Sequence, residues 1–196
     1  MYANYHDIFI RNNRLWMAVT ALLCFAMAAG SFYCTTIDGE KCQKLQEYLT
    51  VFLSSAGSGM NKSAVFQKSA LEYGAVFLLI FLGGFFRPGI LLSLGCLLQR
   101  GFSAGFTGAS FLRIYGWKGL LGLVTCAGNI LLLLPAVCIF CAVSMKMSLL
   151  PHDQKKNFYW FYIFFGILIL TIFCGCALFD SNITTIFMKH LSGKIM

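Results

Sequence analysis

Residues 100–136 read R-G-F-S-A-G-F-T-G-A-S-F-L-R-I-Y-G-W-K-G-L-L-G-L-V-T-C-A-G-N-I-L-L-L-L-P-A, and the reading of this stretch decides the fold. Gly101, Gly105 and Gly108 recur at one-turn spacings, the pattern of a helix with a small-residue face. Gly101-x-x-x-Gly105 and Ala104-x-x-x-Gly108 let a second backbone approach closely, as small-xxx-small pairs do between membrane helices. Gly116 and Gly119 flank Trp117-Lys118 and end that helix. A long apolar run follows. It carries one amide, Asn129, which needs a hydrogen-bonding partner away from water, and one proline, Pro135, expected to kink the helix that holds it. The neighbour of the glycine face is left open between another helix of this chain and another protein.

Composition carries the reading outward. Of 196 residues, 59% are hydrophobic and 11% charged, with a mean hydropathy of +0.76. Soluble domains are about 45–50% apolar and about 25% charged, so polar surface is too scarce here to cover a water-soluble globule. An all-α, polytopic membrane bundle is expected, forming a single membrane domain over 1–196. Its spans are placed at about 15–33, 72–86, 90–114, 119–145 and 158–179. A polar outer loop covers about 34–70. Within that loop Leu45, Tyr48, Leu49, Phe52 and Leu53 recur at helical spacing and mark an amphipathic helix lying on the membrane surface. Another helix is expected to start near Ser63 and run into the second span. Ile183, Ile186, Phe187 and Leu191 put a similar face on the tail.

The net charge of +8 comes from basic residues scattered over loops and span ends. No Lys/Arg run interleaves with aromatics, so nucleic acid is not an expected partner. Five spans put Arg11, Arg14, Arg87, Lys146, Lys155 and Lys156 on one side, which positive-inside reasoning assigns to the cytoplasm.

Candidate chemistry is thin. Seven of the nine cysteines lie in apolar runs, where a thiol acts as a small hydrophobe. Cys34 and Cys42, which flank the start of the polar loop, are the one pair suited to a disulfide. Cys174-x-Cys176 lacks the spacing and further ligands of a zinc site. Gly101-Phe-Ser103-Ala-Gly105 matches G-x-S-x-G, but a hydrolase sets that serine on a strand-to-helix elbow beside a histidine. Here the surroundings are helical, and His6, His152 and His190 lie in termini or a loop. The acids fall in loops or at span ends, so acid/base chemistry has no buried carboxylate pair. No enzyme, cofactor, metal or small-molecule substrate is expected. Arg100 stands out, since arginine at bilayer depth costs roughly 2.5–3.5 kcal/mol on insertion scales. It marks a helix break, an interfacial arginine that snorkels, or a functional polar contact such as one to a partner subunit.

The order R-G-F-S-A-G-F-T-G, F-L-R-I-Y-G-W-K-G-L-L, N-I-L-L-L-L-P-A resembles the stage II sporulation protein M family. The residues carrying the resemblance are Arg100, Gly101, Gly105, Phe106, Thr107, Gly116, Lys118, Gly119, Asn129, Leu131 and Pro135; where the family often has Pro-Gln before the Asn, this chain has Ala127-Gly128. The resemblance implies a multi-pass protein of the mother-cell or septal membrane of a sporulating bacterium. It would act in engulfment of the forespore as a scaffold that anchors two peptidoglycan-cutting enzymes, stage II sporulation proteins D and P. Helix packing and partner contacts then fall to Arg100, Gly101, Gly105, Phe106, Gly108, Gly116, Lys118, Gly119, Asn129 and Pro135, with membrane lipid around them. The alternative is a permease-like transport subunit with a polar cavity between the third and fourth spans.

Overall fold

A computed structural model of the chain describes residues 13–57, 62–119, 129–150 and 152–184. Six helices account for nearly all of them: α1 (Asn13–Thr36), α2 (Gly39–Gly57), α3 (Lys62–Gly83), α4 (Gly89–Tyr115), α5 (Leu134–Leu149) and α6 (His152–Phe179). A 3-10 turn, Gly116–Lys118, follows α4; wide π-type turns precede α5 (Asn129–Leu133) and follow α6 (Asp180–Thr184). The described residues contain no strand.

Four segments are long and apolar enough to cross a membrane: Leu15–Thr36, Val65–Gly83, Gly89–Tyr115 and Phe158–Asn182. At about 1.5 Å per residue, the 16 residues of α5 reach short of a hydrocarbon core about 30 Å thick. A fifth pass therefore needs the turn ahead of α5 as well. Phe25, Phe32, Leu91 and Phe164 each expose 70% or more of their surface. Such large bare apolar side chains suit lipid and not water. The chain is an all-α, multi-pass membrane bundle.

Cross-helix contacts fix the directions. Leu23, Met27, Cys34 and Ile37 of α1 and the residues just past it meet Gly101, Gly105, Ser110 and Arg113 of α4 in the same order, so the two run parallel. Gly83 abuts Gly89, and Glu72 and Tyr73 lie beside Arg100, so α3 and α4 form an antiparallel hairpin. Ser144 and Ser148 of α5 bond Ile80 and Phe86, and Tyr162 of α6 bonds Phe81. The start of α1, the Arg87 turn and the first turns of α6 with Lys155 and Lys156 thus share one end, as the basic side of the sequence requires.

That end is tied by hydroxyls. A helix leaves its last carbonyls without intrahelical donors, and in hydrocarbon each such group costs several kcal/mol. Gly84 N–H is shared between the carbonyls of Ile80 and Phe81, at 3.3 Å from each. Ser144 Oγ donates to Ile80 O at 2.8 Å, Tyr162 Oη to Phe81 O at 2.9 Å and Ser148 Oγ to Phe86 O at 2.6 Å. Ser93 Oγ lies 3.3 Å from Ser144 Oγ, and all four hydroxyl residues are buried. Phe77, Phe81, Phe140 and Tyr162 stack around them with ring centroids 5.2–6.2 Å apart.

Several expectations change. The second span starts earlier and ends at Gly83 instead of 86, because Gly83-Gly84 lets the turn fold back onto Gly89. Arg100 is no helix break: α4 continues unbroken through it. Pro135 lies where the π-type turn Asn129–Leu133 runs directly into α5, and the irregularity falls in the turn ahead of it, where a proline disturbs a helix. Cys34 and Cys42 are both free. The amphipathic helix in the polar loop is present as α2, with Leu45 and Leu49 half-buried and Tyr48 exposed. Ile186, Phe187 and Leu191, Ala127-Gly128 and most of the first half of the expected fourth span lie outside the described residues.

Candidate helix seam and polar cleft

The glycine face of α4 is filled from within the chain. Its companion is α1, the most extensive helix pairing among the described residues. A methyl group on Gly105 would lie 2.8 Å from the Met27 carbonyl carbon, and one on Gly101 2.9 Å from Ala26 Cβ. Gly30 answers from α1: a methyl there would lie 2.9 Å from Phe106 N. Backbones this close bring polar groups within reach. Ser31 Oγ donates to Met27 O at 3.0 Å and to Gly105 O at 3.2 Å, and Cys34 Sγ lies 3.4 Å from Ser110 Oγ. Phe106 is half-buried, its ring 6.1 Å from Tyr33 and 6.4 Å from Phe102. Gly108 is half-buried on the same helix.

Arg113 completes the seam. Its guanidinium donates to the Cys34 carbonyl and, at 3.2 Å, to Ile37 O. A cation there satisfies carbonyls at the C-terminal end of α1 and opposes the negative end of the helix dipole. The turn beyond it uses both its glycines. Gly116 has φ +55°, a left-handed value that side chains resist, and Gly119 packs so close to Phe111 that a methyl would lie 2.6 Å from its carbonyl carbon. Trp117 between them is 89% exposed. The Lys118 side chain lies outside the described residues.

Arg100 points to a different neighbourhood. Its Cζ sits 5.5 Å from the Tyr73 ring centroid, within cation–π range, and Nη2 donates to Glu72 O at 3.3 Å. The Tyr73 hydroxyl in turn donates to Asp180 Oδ2. Tyr73 is 4% exposed and Asp180 7%. Among the described residues a single carboxylate is therefore buried inside the bundle, at a span end as the sequence places it. Asp180 does end α6, but the π turn folds it against the middle of α3.

On the other side of Arg100 a cleft of about 180 Å³ opens between α4 and the turn into α5. Arg100, Ser103, Ala104 and Thr107 line one wall, on successive turns of α4; Ile130, Leu133 and Leu134 line the other. Ser103 lies within regular helix, without the strained elbow of a hydrolase nucleophile. Ile130 and Leu134 also border a second, apolar cleft of about 360 Å³ with Trp16, Thr20, Met27, Pro135 and Cys138. Asn129 opens the π turn beside these clefts, its side chain outside the described residues.

The structure thus splits the sequence-derived set. Gly101, Gly105 and Phe106 serve the α1 seam; Arg100 and Pro135 line clefts; Gly116 and Gly119 shape a turn. Arg113, Tyr73, Asp180 and the hydroxyl cluster escaped sequence reasoning. Ser144 and Ser148, spaced i,i+4 in a helix that is apolar apart from Lys146, were the available signal for that cluster. No family model, curated protein or solved structure matches the chain.

Proposed function

We propose that this protein is a membrane scaffold of endospore formation. It anchors the cell-wall hydrolases known as stage II sporulation proteins D and P in the mother-cell membrane during engulfment. The observation that carries the reading is the ordered motif series from Arg100 to Pro135, which resembles the stage II sporulation protein M family. The seam gives those glycines a physical reason: a scaffold needs a rigid frame, and the Gly101–Gly105 face locks α1 to α4. The surface left for partners includes α2 and the exposed Trp117 at the end opposite the basic turns. Positive-inside reasoning puts that end outside the cytoplasm, where a peptidoglycan hydrolase works. Affinity purification of the tagged protein from sporulating cells should recover both hydrolases, and its deletion should stall engulfment. Recovery of neither, with engulfment intact, sinks the reading.

A permease-like role is the second reading, favoured by the Arg100–Ser103–Thr107 wall of the cleft. It expects Ser103→Cys, in a background without the native cysteines, to react with a water-soluble thiol reagent from each side of the membrane in turn. Labelling from neither side rules it out.

A further inference from the structure

We propose that the cleft at Arg100 binds an anionic lipid, its phosphate held by Arg100, Ser103 and Thr107 and an acyl chain lying along Ile130 and Leu134. The argument starts from charge. Arg100 lies near the middle of a membrane-spanning helix and is half-buried. Its contacts among the described residues are a backbone carbonyl and an aromatic ring, both neutral. A cation at that depth is costly, and intramembrane arginines pair or face a polar cavity. A guanidinium presents five donors in a planar fork suited to phosphate oxygens, and the single carbonyl bond engages one of them.

The wall chemistry selects the ligand. Residues 100, 103 and 107 follow the i, i+3, i+7 spacing of one helix face, so guanidinium and two hydroxyls border the cleft together. Among the described residues the opposite wall, Ile130, Leu133 and Leu134, has only apolar side chains. A free inorganic ion seated there would lose hydration along half its surface without replacement. A neutral lipid would leave the guanidinium unmatched. An amphiphile with an anionic head and an apolar tail matches both walls. The adjoining apolar cleft, which shares Ile130 and Leu134, extends the surface its chain can cover. Basic pockets between transmembrane helices hold anionic headgroups at the membrane face; here the arginine lies at mid-span, so the phosphate has to follow it below the headgroup level. The proposal stands independently of the hydrolase-anchoring role.

The test uses the full chain, solubilised in a neutral detergent and titrated with phosphatidylglycerol, with diacylglycerol of the same acyl chains, which lacks the phosphate, or with inorganic phosphate. Native mass spectrometry reads bound lipid, and thermal unfolding reads stabilisation. The expected result is saturable binding of phosphatidylglycerol at least ten times tighter than of diacylglycerol, with no stabilisation by phosphate at the same concentration. Arg100→Gln should weaken phosphatidylglycerol binding about tenfold or more, the loss of one charge-assisted fork. Ser103→Leu, which fills the cleft and leaves Arg100 in place, should do the same and decides the matter if Arg100→Gln fails to fold. Lys156→Gln, an exposed charge at the basic end, should change nothing. Equal binding of the two lipids, or unchanged binding in Ser103→Leu, overturns the proposal. Phosphate stabilising as strongly as phosphatidylglycerol also overturns it, in favour of a small-anion site.

Discussion

Gly105→Leu is expected to abolish most of the folded protein, whereas Gly95→Leu, ten residues earlier on the same helix, should leave its level unchanged. The two glycines differ in what surrounds them. A methyl on Gly105 already meets the Met27 backbone, with the carbonyl carbon at 2.8 Å and Cα at 2.9 Å, while one on Gly95 meets nothing within 4 Å. The Met27 backbone lies inside α1 and cannot swing away as a side chain would. α1 must therefore move off α4, opening the Ser31–Gly105 bond and drawing Cys34 and Ile37 away from Arg113. Overpacking costs typically 1–3 kcal/mol and occasionally more, and loss of the seam bonds adds about 1 kcal/mol for each. A total of roughly 4–6 kcal/mol is a large part of the 5–15 kcal/mol typical of folded proteins. At Gly95 leucine gains helix propensity and meets lipid. Detergent-resistant monomer on size exclusion and thermal unfolding read both variants. Equal behaviour of the pair would mean that the glycine face of α4 is not packed against α1.

The same seam marks how far sequence reaches. The helical, membrane-crossing class follows from hydropathy, and the glycine spacing announces close approach. Spacing names a face and never the partner that covers it, however, so the sequence left another helix of this chain and another protein open. The Arg113 cap is invisible for a related reason. Its carbonyl partners sit some 76–79 positions away, and backbone carbonyls have no sequence signature. Asp180 lies at a span end, as an acid after a long apolar run implies, but the π turn that folds it back onto Tyr73 is set by tertiary packing. Periodicity does not register that.

The Tyr73–Asp180 contact yields the second large effect, best seen as a double-mutant cycle. Tyr73→Phe removes the hydroxyl but keeps the ring under Arg100, so its loss reports on Asp180 and not on the cation. It leaves a buried carboxylate one donor short, a penalty of about 1–3 kcal/mol or more for a charged group. Asp180→Val leaves the Tyr73 hydroxyl without this acceptor in an apolar setting, at a similar cost. With both substitutions neither group is stranded, because replacing both partners of a buried bond by apolar groups approaches neutrality. The double variant should therefore be more stable than the sum of the singles predicts, by about 1–3 kcal/mol of coupling. Thermal unfolding of the four proteins in one detergent measures it. Additivity within about 0.5 kcal/mol would mean that the hydroxyl and the carboxylate do not depend on each other. The polar line from Arg100 through Tyr73 to the end of α6 would then be two separate contacts instead of one continuous tie across three helices.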